Sequence, residues 1–363
     1  MSRLRDLADQ HGQSPWLDNL RRGWITSGEL QALIDRGVRG ITSNPSIFQK
    51  AMTGTDDYDE QLRELTGGGG SIEDAYWDLV TRDILDALDL LRPVHDATNG
   101  LDGFVSVEVD PSLAGDTQGT IEAARELRRR IDRPNLYIKI PATPEGLPAI
   151  RTMISEGCSV NVTLIFSLER YVDVMEAYLS GLEAHEGDLS GISSVASFFI
   201  SRTDTEVDRR LDAIGSEDAL ALRGQAAVAQ GQVAYELFGR TFSGPRWDAL
   251  AARGARVQRP LWASTSTKNP DYPDTLYVDT LIGPDTVNTL PEATLEAFDE
   301  HGTLARTVDA DPEGARSTLA AVEAAGVDLG DVADVLEAEG VSAFVKSFDE
   351  LLVTLGEKVD ALD

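Results

Sequence analysis

The chain has 363 residues, 42% of them hydrophobic, and 62 Asp and Glu against 32 Lys and Arg, a formal net charge of −30. That balance excludes a nucleic-acid binder, which needs a basic footprint, and makes an anionic substrate an awkward partner unless a local positive site captures it. The length is ample for one large domain or two, and the single Cys158, which excludes an internal disulfide, points to a reducing, cytoplasmic setting.

The opening MSRLRDLADQHGQSPWL has no apolar h-region, so no signal peptide is expected. No window approaches eighteen consecutive apolar residues, so no membrane span or membrane partner is expected. The first strand-like run is SPWLD (14–18). A helical pattern, GELQALIDRG, then stops at Gly37. RGITSN (39–44) reads as the second strand, and the four glycines at 67–70 as a flexible linker. Residues 71–92 place Ile72, Tyr76, Leu79, Val80, Ile84, Leu88 and Leu91 at helical spacing. GFVSVEVD (103–110) is a strand, 117–131 a helix, LYIKIPA (136–142) a strand, and 145–156 a helix. SVNVTLIF (159–166) precedes a helix over 168–184, with Ser167 as N-cap and Glu169 in its first turn. SSVASFFIS (193–201), one long helix over 218–239, RPLWAST (259–265) and LYVDTLIG (276–283) complete the alternation. The remaining eighty residues carry a helical pattern that includes VSAFVKSFDELLVTLGEKVD.

Eight strands alternating with helices predict a parallel α/β fold, and a closed (β/α)₈ barrel fits the count and length. An open doubly wound sheet is the alternative, but no GxGxxG or P-loop motif follows any strand. The expected organisation is one domain over 1–363, with additional C-terminal helices, about 291–363, packed on the barrel. Four histidines, at 11, 95, 185 and 301, are isolated, and no Cys/His cluster has metal-ligand spacing, so no metal site is expected.

Lys139 is the most informative residue. Only five of the 32 basic residues are lysines, and this one is flanked by isoleucines in an apolar strand. Desolvation disfavours an ammonium, and a neutral amine attacks carbonyls to form Schiff bases. The bland alternative is a strand-end lysine holding a carboxylate or phosphate. Strand parity adds context, because residues two apart share a face. Trp16 pairs with Asp18, Thr42 with Asn44, Ser106 with Glu108, Tyr137 with Lys139, Asn161 with Thr163, and Ser197 with Phe199. Opposite them lie apolar residues such as Val105, Val107, Ile138, Ile140, Val162 and Leu164. In a barrel the polar faces converge inside, toward the catalytic end. A lone strand Asn or Thr usually just satisfies backbone groups. Buried carboxylates at Asp18 and Glu108 need partners, and acid, base and amide groups around a buried amine form an aldolase-type constellation.

SPWLDNL, TSNPSIF, SVEVDP, YIKIPAT, SVNVTLIFS and ASFFISR, in that order, resemble the strand motifs of the transaldolases, of the longer bacterial kind, over nearly the whole chain. The resemblance implies a class I Schiff-base TIM barrel without cofactor. It implies transfer of a dihydroxyacetone unit between sugar phosphates in the non-oxidative pentose phosphate pathway, by a monomer or homodimer. It makes Lys139 the Schiff-base lysine and Asp18 the acid/base for C–C cleavage and formation, with Glu108 and Thr163 holding a catalytic water. Asn44 and Asn161 would bind the dihydroxyacetone hydroxyls beside Ser197, with Phe199 lining the pocket.

Arg202 matches the family's phosphate arginine; otherwise it would pair with Asp204 or Glu206 on the surface. After strand seven, Ser264 fits the family serine, but the usual arginine is absent and Lys268 comes a few positions late. Two other functions are compatible with the motifs. One is a fructose-6-phosphate aldolase-type lyase, whose shorter chains place other residues at Glu108 and Phe199. The other is a catalytically silent sugar-phosphate-binding barrel, which would be free to lose Lys139, Asp18 or Glu108.

Overall fold

The computed structural model describes residues 2–67 and 69–362; Gly68, within the glycine run read as a linker, lies outside them. Eight parallel strands close a barrel in chain order. They are β1 (Gln13–Leu17), β2 (Gly40–Ile41), β3 (Phe104–Glu108) and β4 (Leu136–Pro141), then β5 (Val160–Ile165), β6 (Ser194–Phe199), β7 (Gln258–Ala263) and β8 (Thr286–Leu290). β1 pairs with both β2 and β8, which closes the ring. Among the described residues no helix is long and apolar enough to cross a membrane.

The interior is layered. At the N-terminal end, fully buried Asp102 accepts from Ser14 Oγ (2.7 Å), Trp16 Nε1 (3.2 Å) and Arg259 Nη2 (3.0 Å). A buried carboxylate so surrounded meets its need for donors. Above it Phe104 stacks on Tyr137 at 4.2 Å between centroids, with Trp16 tilted against both. β2 accommodates the indole because residue 40 is glycine: a Cβ there would meet Trp16 at 2.5 Å. The polar layer lies above these rings. In the parallel register Glu108 is opposite Lys139, and Lys139 is opposite Asn161, so the three share the inner face.

The helices over Glu29–Arg36, Thr117–Ile131, Gly146–Ser155 and Leu168–Ala184 form where the periodicity predicts them. Ser167 caps the last of these through Arg170 N, at 3.0 Å. Three expectations are corrected. The run LYVDTLIG is not a strand: Leu276–Asp279 is a short helix, and the eighth strand is Thr286–Leu290. Apolar residues at 277, 278, 281 and 282 recur at spacings of three and four, a helical period, and the carbonyl of Leu281 accepts from the Trp262 and Gln13 side chains. The predicted long helix over 218–239 is two, Glu217–Leu220 and Ala226–Thr241. The chain turns at Gly224 (φ +70°), whose N–H donates to Asp208 at 2.9 Å. A further helix, Ser201–Ile214, follows β6 directly. Finally, Leu164 does not oppose the inner face. Its φ of +60° marks an irregularity in the β5–β6 register, and its side chain joins the interior cluster with Phe166 and Phe199.

Past β8 the chain is helical. The last helix, Leu329–Leu362, is 34 residues long, about 50 Å at the α-helical rise. Asp331 pairs with Arg210 (2.7 Å) on one side of the barrel mouth. Further along, Ser347 bonds Ser46 (2.7 Å), and Gln49 donates to Glu350 (2.8 Å), on the other side. The helix therefore crosses the C-terminal mouth.

Candidate active site

The candidate side chains are placed by the strands and by the segments that follow them. β4 carries Lys139, which is buried; its Nζ donates to Glu108 Oε2 (3.1 Å) and to the Ser43 carbonyl (3.2 Å). Asp18 follows β1, its N–H bonded to the Leu290 carbonyl of β8 (2.9 Å). Its carboxylate accepts from Thr42 Oγ1 (2.8 Å), which in turn is 2.6 Å from Thr289 Oγ1. Asn44 caps the helix Pro45–Met52, accepting from Ile47 N at 2.9 Å and leaving its amide N–H groups for a ligand.

A cavity of about 330 Å³ opens at this end of the barrel. Asp18, Asn44, Lys139, Thr163, Ser197 and Phe199 line it, with Arg202, Ser264 and Lys268 toward the rim. Glu108 and Asn161 stand behind that lining. Asn161 is fully buried; its Oδ1 accepts from Ser197 Oγ (2.7 Å) and its Nδ2 donates to Ser106 Oγ (2.9 Å). Both ends of the Asn161 amide are thus engaged with protein. Thr163 Oγ1 is buried and has no hydrogen-bond partner among the described residues.

Burial pushes both carboxyls above their ordinary range. For Asp18 the opposing pull comes first from Lys139, then from the Thr42 hydrogen bond, Arg202 and Lys50. For Glu108 it comes from the Lys139 charge and hydrogen bond, while the Asp18 charge adds to the upward shift. Two carboxyls that resist ionisation flank one amine, an arrangement suited to passing protons.

Arg202 makes none of the surface pairs open to it. Asp204 instead accepts from Ala227 N and Tyr277 Oη, and Glu206 pairs with Arg209 and Arg210. Its guanidinium lies 5.3 Å from the Phe199 ring, and burial pushes its pKa down. Ser264 has φ +55° and bonds Ser201 Oγ at 2.9 Å. Lys268 is exposed and donates to Ser266 at 2.6 Å.

Of the nine lining residues that are not among the candidates read from the sequence, four bear on the chemistry: Thr42, Lys50, Thr289 and Phe344. Parity had put Thr42 on the inner face. Thr289 lies on the strand misplaced by the LYVDTLIG reading. Lys50 reads as an ordinary helix lysine. Phe344 is carried by the C-terminal helix, its ring centroid 5.5 Å from Lys139 Nζ; nothing near it in the sequence marks it. Among the described residues no cluster of His, Cys, Asp and Glu could hold a metal ion.

A family model described as transaldolase/fructose-6-phosphate aldolase matches residues 15–355. The chain is 54% identical to a transaldolase of Thermobifida fusca (strain YX), covering 99% of each chain. It is 53% identical to one of Parafrankia sp. (strain EAN1pec), covering 96% of each. With transaldolase 1 of Streptomyces coelicolor the identity is 52%, over 99% of this chain and 95% of the relative. By both measures this chain belongs to the transaldolase/fructose-6-phosphate aldolase family.

Proposed function

We propose that this transaldolase works through a Schiff base at Lys139. The enzyme is a transferase. The observation that carries the assignment is a buried amine at 3.1 Å from Glu108, at the floor of a cavity that Asp18 also lines.

The amine attacks the ketose carbonyl, and the carbinolamine loses water with Glu108 delivering and removing protons. The resulting iminium is the electron sink. Asp18 takes the proton from the hydroxyl on the second carbon beyond the imine carbon; the bond between that carbon and the carbon adjoining the imine breaks, its electron pair passes to the iminium to form the enamine, and an aldose phosphate leaves with a new carbonyl. An acceptor aldehyde then takes up the enamine carbon, Asp18 returns the proton to the new hydroxyl, and water releases the lengthened ketose. The unpartnered Thr163 hydroxyl supports a role in holding that water. Asn44 has amide donors free for the dihydroxyacetone hydroxyls. Ser197 lines the pocket, and Asn161 orients it from behind. Arg202, Ser264 and Lys268 take the phosphate. The donor is sedoheptulose 7-phosphate or fructose 6-phosphate, and the acceptor glyceraldehyde 3-phosphate or erythrose 4-phosphate. The protein acts in the cytoplasm as a monomer or homodimer. The single, free Cys158 supports a reducing compartment.

Borohydride reduction in the presence of fructose 6-phosphate tests the assignment. A single labelled peptide containing Lys139 is expected, whereas label at Lys268 or Lys346 overturns it. Lys139→Met should fold and give no label. A coupled assay with erythrose 4-phosphate separates transfer from simple cleavage.

A further inference from the structure

The charges around the cavity run against those of the chain. Acids outnumber bases 62 to 32 overall. Of the side chains lining the cavity, one is a carboxylate, Asp18, and four are cations: Lys50, Lys139, Arg202 and Lys268. Lys139 has Glu108 as a partner at 3.1 Å. The other three make no ion pair among the described residues, although most arginines of the chain do. Like charges gathered without counter-ions repel. The three line one cavity, and the Lys268 amine, although its side chain is exposed, is pushed down by partial desolvation first and then by the charges of Arg202 and Lys50.

We infer that Lys50 is a phosphate-binding and specificity-determining residue of this site, gripping the substrate phosphate together with Arg202 and Lys268. The inference rests on the sugar-phosphate reading above. A phosphate dianion supplies the charge that three unpaired cations lack, and Lys50 reaches it from the opposite side of the mouth to Arg202. Arg202 stands just past β6, while Lys50 lies in the last turn of the helix Pro45–Met52, which follows β2. That helix is held at both ends: Asn44 caps it, and Ser46 and Gln49 bond Ser347 and Glu350 of the C-terminal helix. The bland explanation is a lysine that complements the negative end of its helix dipole. Such a lysine would be indifferent to phosphate.

Lys50→Gln and Lys50→Arg test this in the full-length enzyme. Inorganic phosphate is the probe, measured by calorimetric titration and as a competitive inhibitor against fructose 6-phosphate. In Lys50→Gln its affinity should fall about tenfold, the scale of one partly exposed charge-assisted contact. The ratio of kcat/KM for fructose 6-phosphate to that for fructose should fall by a similar factor, and Lys50→Arg should restore most of both. Phosphate affinity within twofold of the unaltered enzyme overturns the inference, as does an equal loss on both ketoses. Borohydride trapping at Lys139 in the unaltered enzyme tells this failure from that of the underlying reading: without trapping both fall, and with trapping only the role of Lys50 does.

Discussion

Glu108 and Asp18 are both carboxyls within the field of Lys139, yet their contacts differ. Glu108 is bonded directly to the amine, and Asp18 is held by Thr42 at the cavity wall. Glu108→Gln keeps the shape and loses the proton shuttle, so imine formation should slow by on the order of 10² to 10⁴. Asp18→Asn should leave imine formation intact and slow C–C cleavage. Single-turnover trapping distinguishes the two, and near-normal turnover in Glu108→Gln makes that residue structural. Asp204 carries a prediction about stability. Burial, against hydrogen bonds from Ala227 N–H and Tyr277, raises its carboxyl from the ordinary 3.8 to about 6. Between those values the folded protein binds the proton more tightly than the unfolded chain does, so stability falls as pH rises from about 4 through about 6. Above that window the ionised, buried carboxylate costs on the order of 3 kcal/mol. Asp204→Asn keeps an acceptor for Ala227 N–H and should stabilise the protein more at pH 7 than at pH 4. Parallel pH–stability curves for the two proteins would refute this.

At the scale of elements, the C-terminal helix matters most for the chemistry. It spans the barrel mouth and lowers Phe344 to 5.5 Å from the Lys139 amine, while Phe199 reaches the same cavity from β6. Phe348, a turn further on, anchors the helix edge-on to Tyr76 at 5.2 Å. A transferase must keep its enamine from protonation and hydrolysis until the acceptor arrives. Two rings without hydroxyls offer water no partner beside the intermediate. Phe344→Ala should therefore raise release of free dihydroxyacetone relative to transfer to erythrose 4-phosphate, and Phe344→Leu should largely restore the balance. Phe199→Tyr should shift the same ratio in the direction of release. The ratio is independent of how much protein survives; if Phe344→Ala leaves it unchanged, the ring merely packs.

For the whole molecule the charge is the dominant feature. With every base paired, thirty carboxylates would still have no partner. Two effects of salt then compete. Screening weakens the surface ion pairs, each worth about 0 to 1 kcal/mol, and it also relieves the self-repulsion of the surplus acids. The surplus of 30 is nearly as large as the entire basic complement of 32, so repulsion should win. Tm should rise by several degrees between about 0.02 M and about 0.5 M sodium chloride. A fall would mean that ion pairs such as Arg246 with Glu176 and Glu183 carry more of the stability than the excess charge removes. An anionic substrate approaching so negative a surface would need a local reversal of sign, which the cations lining the cavity could supply.

The barrel was legible in the chain because its strands alternate, and a period of two needs only neighbouring residues to be read. Seven strands fall where that alternation places them. The eighth was displaced because an apolar run at 276–283 outweighed the shorter, more polar TVNTL, whose inward Thr289 and Val287 acquire meaning only beside β1 and β7. Lys139 and Asp18 stood out for a local reason, each being charged where an apolar strand residue would be expected; Asn44, Thr163 and Ser197 share the polar parity, but only the family resemblance gave them roles. Tertiary structure alone decided the rest. It set Glu108 and Asn161 behind the cavity wall, left Arg202 free of the acids next to it in sequence, and turned Lys50 into the mouth. Phe344 shows why no local pattern could have sufficed: it follows Lys139 by 205 residues in the chain yet lies against its amine, because the long C-terminal helix crosses the barrel mouth.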